Sequence, residues 1–137
     1  MLIPKQFKYK KQFKGILKGK TIKGSKIIFG SYALKSLEEG RITSKQIEAA
    51  KRIIVKKMKK LGFIWIRIFP DVPVTSKPSE IRMGKGKGSV NFWVSKIKKG
   101  QIIYEIEGVR KDVAEKALKS GANKLPILTK CIYKKGL

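Results

Sequence analysis

Ser79-Glu80-Ile81-Arg82-Met83-Gly84-Lys85-Gly86-Lys87-Gly88-Ser89 lies between two apolar runs, Phe63 to Phe69 before it and Val90 to Ile97 after it. Both runs are dense in aromatic and β-branched residues, which favour a pleated, half-buried surface. Glycine at every second position from 84 to 88 lets the backbone take positive φ and approach a partner closely. Arg82, Lys85 and Lys87 put positive charge on a segment that cannot pack as core. The pattern predicts strand, cationic loop, strand, with the loop as the working tip and the rest of the chain as its platform. A plain flexible hairpin is the blander reading. A polyanion is the partner such a tip suits.

Working outward, the chain of 137 residues is long enough for one domain with a real core. Thirty-four basic residues against nine acidic ones leave a net charge of +25. Such a surplus repels itself and makes most sense beside a polyanion, more so than as a merely solvated surface. A membrane partner is not expected, since no apolar run approaches the ~20 residues needed to span a bilayer. A single cysteine, Cys131, forbids an internal disulfide and a cysteine-cluster metal site, and the chain has no histidine. Imidazole zinc sites and histidine bases are thereby excluded, and the carboxylates are scattered. No enzyme, metal or cofactor is expected.

Residues 1–24 read as a basic arm, and residues 25–137 as an α+β RNA-binding domain carrying the loop at 77–89. In the arm, Phe7, Tyr9 and Phe13 alternate with Lys5, Lys8, Lys10, Lys11 and Lys14, followed by Lys18, Lys20 and Lys23. Aromatics of this kind stack on bases while the lysines neutralise phosphates; an ordinary edge strand is the alternative. Lys26 to Phe29 and Tyr32 to Leu37 read as short strands, and Glu38 to Arg41 as a turn. Thr43 with Gln46 is a capping box, and Ile47, Ala50, Ile54, Met58 and Leu61 recur at helical spacing. Gly62 suits the C′ stop. Arg52, Lys56 and Lys59 occupy other faces and are candidate phosphate contacts, against the common case of a solvated helix face.

Phe63 to Phe69 is expected to be largely buried on both faces, ended by Pro70-Asp71-Val72-Pro73. Lys98-Lys99-Gly100 turns Val90–Ile97 into Gln101–Ile106, where Ile102, Tyr104 and Ile106 alternate. A second helix from about Lys111 to Asn123 turns Val113, Ala117 and Leu118 inward, and Ile127 to Tyr133 is a last strand. Trp65 and Trp93 are assigned to the core. The order is β-β-α-β-loop-β-β-α-β. The glycine loop fails as a Walker loop: Ser89 follows Gly88 rather than a lysine, and a strand rather than a helix follows.

With these segments in place, the chain resembles a known family along nearly its whole length. It is similar to the bacterial-type large-subunit ribosomal protein numbered sixteen, whose archaeal and eukaryotic relatives are numbered ten. The resemblance is carried by Met1-Leu2-x-Pro4-Lys5, Phe29-Gly30-Ser31-Tyr32-x-Leu34 and Arg41-Ile42-Thr43-Ser44-Lys45-Gln46-Ile47-Glu48-Ala49-Ala50. Ile64 to Asp71 carries it further, with Pro73, Thr75, Lys77-Pro78 and Arg82 to Gly88, then Tyr104-Glu105-x-x-Gly108-Val109 and Lys124-Leu125-Pro126-Ile127.

The resemblance implies an α/β-hammerhead-type fold embedded in large-subunit ribosomal RNA beside the peptidyl-transferase region, close to 5S RNA and to neighbouring ribosomal proteins. It implies that Lys77, Pro78, Arg82, Met83, Gly84, Lys85, Gly86, Lys87 and Gly88 face transfer RNA at the A and P sites. It further implies that the arm from Lys5 to Lys23 grips ribosomal RNA, and that the protein supports assembly and tRNA accommodation. The chain departs from the family in two ways. The arm is Lys-rich where relatives carry more Arg, which puts forked phosphate contacts in question. Phe63 stands where relatives carry Lys or Arg, which implies one RNA contact fewer.

A free RNA chaperone is the alternative outside the ribosome. The start Met1-Leu2-Ile3-Pro4-Lys5 has no signal core or presequence pattern, as expected of a protein made where it works. Lys (29) over Arg (5) and Ile (19) over Leu (9) suggest an AT-rich genome. The expectation is an organellar ribosome, mitochondrial before plastid, with a bacterial cytoplasm as the alternative.

Overall fold

The computed structural model describes residues 25–76 and 89–134. They form β1 (Tyr32–Ser36), β2 (Gly40–Thr43), α1 (Ser44–Lys57), β3 (Phe63–Ile66), β4 (Val72–Ser76), β5 (Ser89–Ile97), β6 (Ile102–Glu107), α2 (Lys111–Ala122) and β7 (Thr129–Tyr133). Two antiparallel sheets result, a four-stranded one in the order β3-β6-β1-β7 and a three-stranded one in the order β2-β5-β4. The architecture is α+β, as the sequence predicts.

The core lies between the four-stranded sheet and the two helices. Leu34, Tyr104 and Ile106 of the sheet join Ile47, Ala50, Ile54 and Met58 of α1 and Ala114, Ala117 and Leu118 of α2. Each large aliphatic side chain fully buried here contributes roughly 1.5–3 kcal/mol. The Tyr104 hydroxyl donates to the carbonyl of Ile47 and so ties sheet to helix, and burial pushes its ionisation upward. Ser36, itself buried, secures the passage between sheets: its hydroxyl donates to the Lys98 carbonyl and accepts from the Gln101 N–H.

α1 begins as expected. Thr43 accepts from the Gln46 N–H and the Gln46 side chain accepts from the Thr43 N–H, a complete capping box. Its end differs. The helix stops at Met58, and Lys59 and Lys60 rather than Gly62 take the first left-handed positions, at φ 56° and 61°. Leu61 consequently leaves the apolar stripe and is exposed. Gly62 is required for another reason: at φ +79° it passes against the Glu107 carbonyl and against Gly108, itself at φ +91°.

Other expectations are corrected. Lys26–Phe29 is not a strand; its backbone hydrogen bonds go to a side chain instead of a ladder. The turn at Glu38–Arg41 gives way at Gly40 to β2, which pairs with β5. Phe63–Phe69 is not buried on both faces. Its strand ends at Ile66 and lies at the sheet edge, leaving Phe63 70% exposed and Phe69 45% exposed. Pro70–Pro73, read as the stop after that strand, already contains the start of β4 (Val72–Ser76), an edge strand where Pro73 is tolerated. Residues 102–106 do not alternate but are all buried, Glu105 included. Trp65 and Trp93 are only partly buried.

Candidate nucleic-acid interface

The base of the cationic loop is fixed by the three-stranded sheet. β4 and β5 pair antiparallel from Val72↔Val94 out to Ser76↔Ser89, with an irregularity between Val74 and Thr75. Ser76 and Ser89, the described residues on either side of 77–88, are therefore paired neighbours. The loop candidates Lys77, Pro78, Arg82, Met83, Gly84, Lys85, Gly86, Lys87 and Gly88 lie outside the described residues. So do the arm candidates Lys5, Lys8, Lys10, Lys11, Lys14, Lys18, Lys20 and Lys23, and with them the division at residue 24.

The three remaining candidates fall together. Arg52, Lys56 and Lys59 line one shallow groove on α1, with Lys51, Val55, Lys60 and Glu48. The 3.6-residue repeat brings Glu48, Lys51, Arg52, Val55 and Lys56 round to one side of α1, away from the buried stripe. Arg52 reaches Glu48 one turn back at 3.3 Å, an exposed pair that contributes little stability. Lys56 and Lys57 occupy the last turn, where the helix dipole favours cations. The left-handed backbone at Lys59 and Lys60, costing roughly 1 kcal/mol each, extends the cationic row past the helix end. Five cations around one carboxylate suit a row of phosphates.

A second cluster has only a faint trace in the sequence. The Glu105 side chain is completely buried, and its Oε1 accepts the backbone N–H groups of Ile28, Phe29 and Gly30 at 2.9, 2.8 and 2.9 Å. Three successive N–H groups converging on one oxygen make an anion nest filled by the protein's own carboxylate. Its Oε2 accepts from the Arg67 guanidinium, which also donates to the Lys26 carbonyl. Burial opposes ionisation, but the Gly30 N–H, Arg67 and the N–H groups of Phe29 and Ile28 outweigh it. They hold the carboxyl below the usual carboxylate range. The cluster clamps the segment entering β1 onto the sheet face opposite the helices. The trace in the sequence is that Glu105 and Arg67 are each a lone charge in an apolar run, and buried charges need partners.

Elsewhere, burial raises the Cys131 thiol, with Glu115 adding to that and Lys111 opposing it, so the sulfur is a poor nucleophile. Among the described residues no group of three or more acidic, cysteine or histidine side chains could hold a metal ion. No described helix is long and apolar enough to cross a membrane.

Comparison with known proteins gives one consistent result. The family model for ribosomal protein L16p/L10e matches residues 4–132. The large ribosomal subunit protein uL16 of Chelativorans sp. (strain BNC1) is 54% identical over 134 residues, 98% of each chain. The protein of that name from Paracoccus denitrificans (strain Pd 1222) is 54% identical over 132 residues, 96% of each chain. That from Caulobacter vibrioides (strain NA1000 / CB15N) is also 54% identical over 132 residues, 96% of this chain and 92% of its own.

Proposed function

The chain belongs to the ribosomal protein L16p/L10e family, structural proteins of the large ribosomal subunit and not enzymes, and from that premise we propose how it engages RNA. The arm at 1–24 and the α1 row Arg52, Lys56 and Lys59 neutralise phosphates of large-subunit ribosomal RNA. The loop at 77–88 reaches toward transfer RNA at the A and P sites, with 5S RNA and other ribosomal proteins nearby. In this role the protein supports subunit assembly and tRNA accommodation, while peptide-bond chemistry belongs to the RNA.

One observation carries the reading: the match from residue 4 to 132 runs through both the basic arm and the glycine loop. The charge supports it, since each phosphate neutralised releases counterions and makes binding steeply salt-dependent. The bacterial relatives favour a bacterial cytoplasm. An organellar ribosome rests on the Lys and Ile bias alone.

Sucrose-gradient sedimentation of tagged protein from its native source, washed in high salt, tests the role. Retention with the large subunit is expected. Recovery at the top of the gradient would overturn it in favour of a free RNA-binding module. Fractionating the same cells into organelles and cytosol decides the compartment.

A further inference from the structure

The face of the four-stranded sheet opposite the helices carries a row of aromatic rings that the phosphate-binding role leaves unused. Phe63 and Trp65 stand two residues apart on β3, and period two puts them on one side of that edge strand. Their ring centroids are 6.2 Å apart, and Phe29 stacks on Trp65 at 5.9 Å with 22° between planes. Phe29 is 52% exposed and Phe63 70% exposed. The Arg67 guanidinium lies 5.7 Å from the Phe29 ring centroid.

We propose that the Phe29–Trp65–Phe63 row is a stacking platform for unpaired nucleobases of the large-subunit RNA. The proposal rests on the reading of the chain as an RNA-binding protein and names a surface for it. Every base has a π-face, and bases in loops and bulges that leave their helix stack on aromatic side chains and guanidinium planes. The platform is rigid: three hydrogen bonds to Glu105 fix the backbone at 28–30, so little freedom remains for binding to remove. Charge selects the occupant. A second copy would bring +25 of like charge against the +25 of this chain, whereas RNA brings the opposite sign.

The test uses the full chain and protein-free large-subunit RNA, with affinity measured across a range of salt. Phe63→Ala is expected to weaken binding roughly ten- to hundredfold with the salt slope unchanged, because a stacked base releases no counterions. Phe63→Tyr is expected to restore it. In a Trp93→Phe background, Trp65 emission should be open to acrylamide in the free protein and quenched by RNA.

Affinity of Phe63→Ala within about twofold of the parent, where the parent binds with a steep salt slope, overturns the platform and leaves phosphate binding standing. Loss of steep, salt-dependent binding by the parent itself removes the RNA-binding reading, and the platform with it. Trp65 already shielded in the free protein, by the chain's own arm or by a second copy, also overturns the proposal. So would a Phe63→Ala defect confined to binding another ribosomal protein.

Discussion

Arg67, just past the end of edge strand β3, donates its guanidinium to Oε2 of the fully buried Glu105 on the neighbouring strand, while Oε1 of the same carboxylate gathers three backbone N–H groups from residues 28–30. One carboxyl thus joins β6 and the residue following β3 to the segment that enters β1. Leaving Arg67 and three backbone donors, buried at Gly30 and part-buried at Ile28 and Phe29, without that charge would cost far more than an exposed ion pair does.

Glu105→Gln is expected to destabilise the protein by roughly 3 kcal/mol at neutral pH, read from denaturant unfolding. The pH dependence has a definite sign. The folded carboxyl titrates below its unfolded value of about 4.3, so its contribution is fully present above that pH. It is lost as pH falls through the folded value. The parent should therefore lose stability below about pH 4.3, and the gap between parent and variant should narrow there. A gap that stayed constant on acidification would mean that Glu105 acts through packing alone.

Gly62 and Gly108 make a second test. A Cβ on Gly62 would lie 2.3 Å from the Glu107 carbonyl oxygen, and one on Gly108 would lie 2.7 Å from the Gly62 Cα. Both residues also have positive φ. Gly62→Ala and Gly108→Ala should each cost roughly 1–3 kcal/mol. The double variant should be non-additive because the two sites touch. Denaturation midpoints of the three variants check this.

These residues also show what can be read from the sequence. The α1 stripe and the Thr43–Gln46 box are legible because both are local, set by spacings of three and four residues. Buried partnership between Arg67 and Glu105, 38 residues apart, has no local signature beyond two isolated charges. Edge position is equally invisible. Phe63–Phe69 and Pro70–Pro73 mislead because hydrophobicity and proline content do not reveal which strands have only one neighbour. At the candidate interface, Arg52 and Lys56 are legible because helical periodicity separates the polar side of α1 from its buried stripe, whereas Lys59 lies past the helix end in left-handed backbone.

Replacing Arg52, Lys56 and Lys59 together by Ala should weaken RNA binding and flatten its salt dependence. Each phosphate left without its cation reduces the slope of log K against log salt by roughly 0.7–0.9. A fall of about two in the slope would mean that most of the row meets phosphate. The fold should hold, because these side chains lie outside the buried stripe of Ile47, Ala50 and Ile54. A reduced affinity with an unchanged slope would assign the defect to helix geometry instead.

Arg82→Ala with Lys85→Ala tests the loop. The described core is built from residues on either side of 77–88, and the hairpin is already closed by the Ser76↔Ser89 pair. Circular dichroism and the thermal midpoint should therefore match the parent, and incorporation into large subunits should be preserved. The expected defect is in the rate of tRNA accommodation on reconstituted ribosomes, shrinking as salt rises because the attraction that the parent has and the variant lacks is screened. The structural and functional readouts must separate for the loop to be a contact surface. An unfolded double variant would make the loop structural and overturn its assignment to tRNA. A folded variant with normal accommodation would leave the arm and α1 as the cationic surfaces that act.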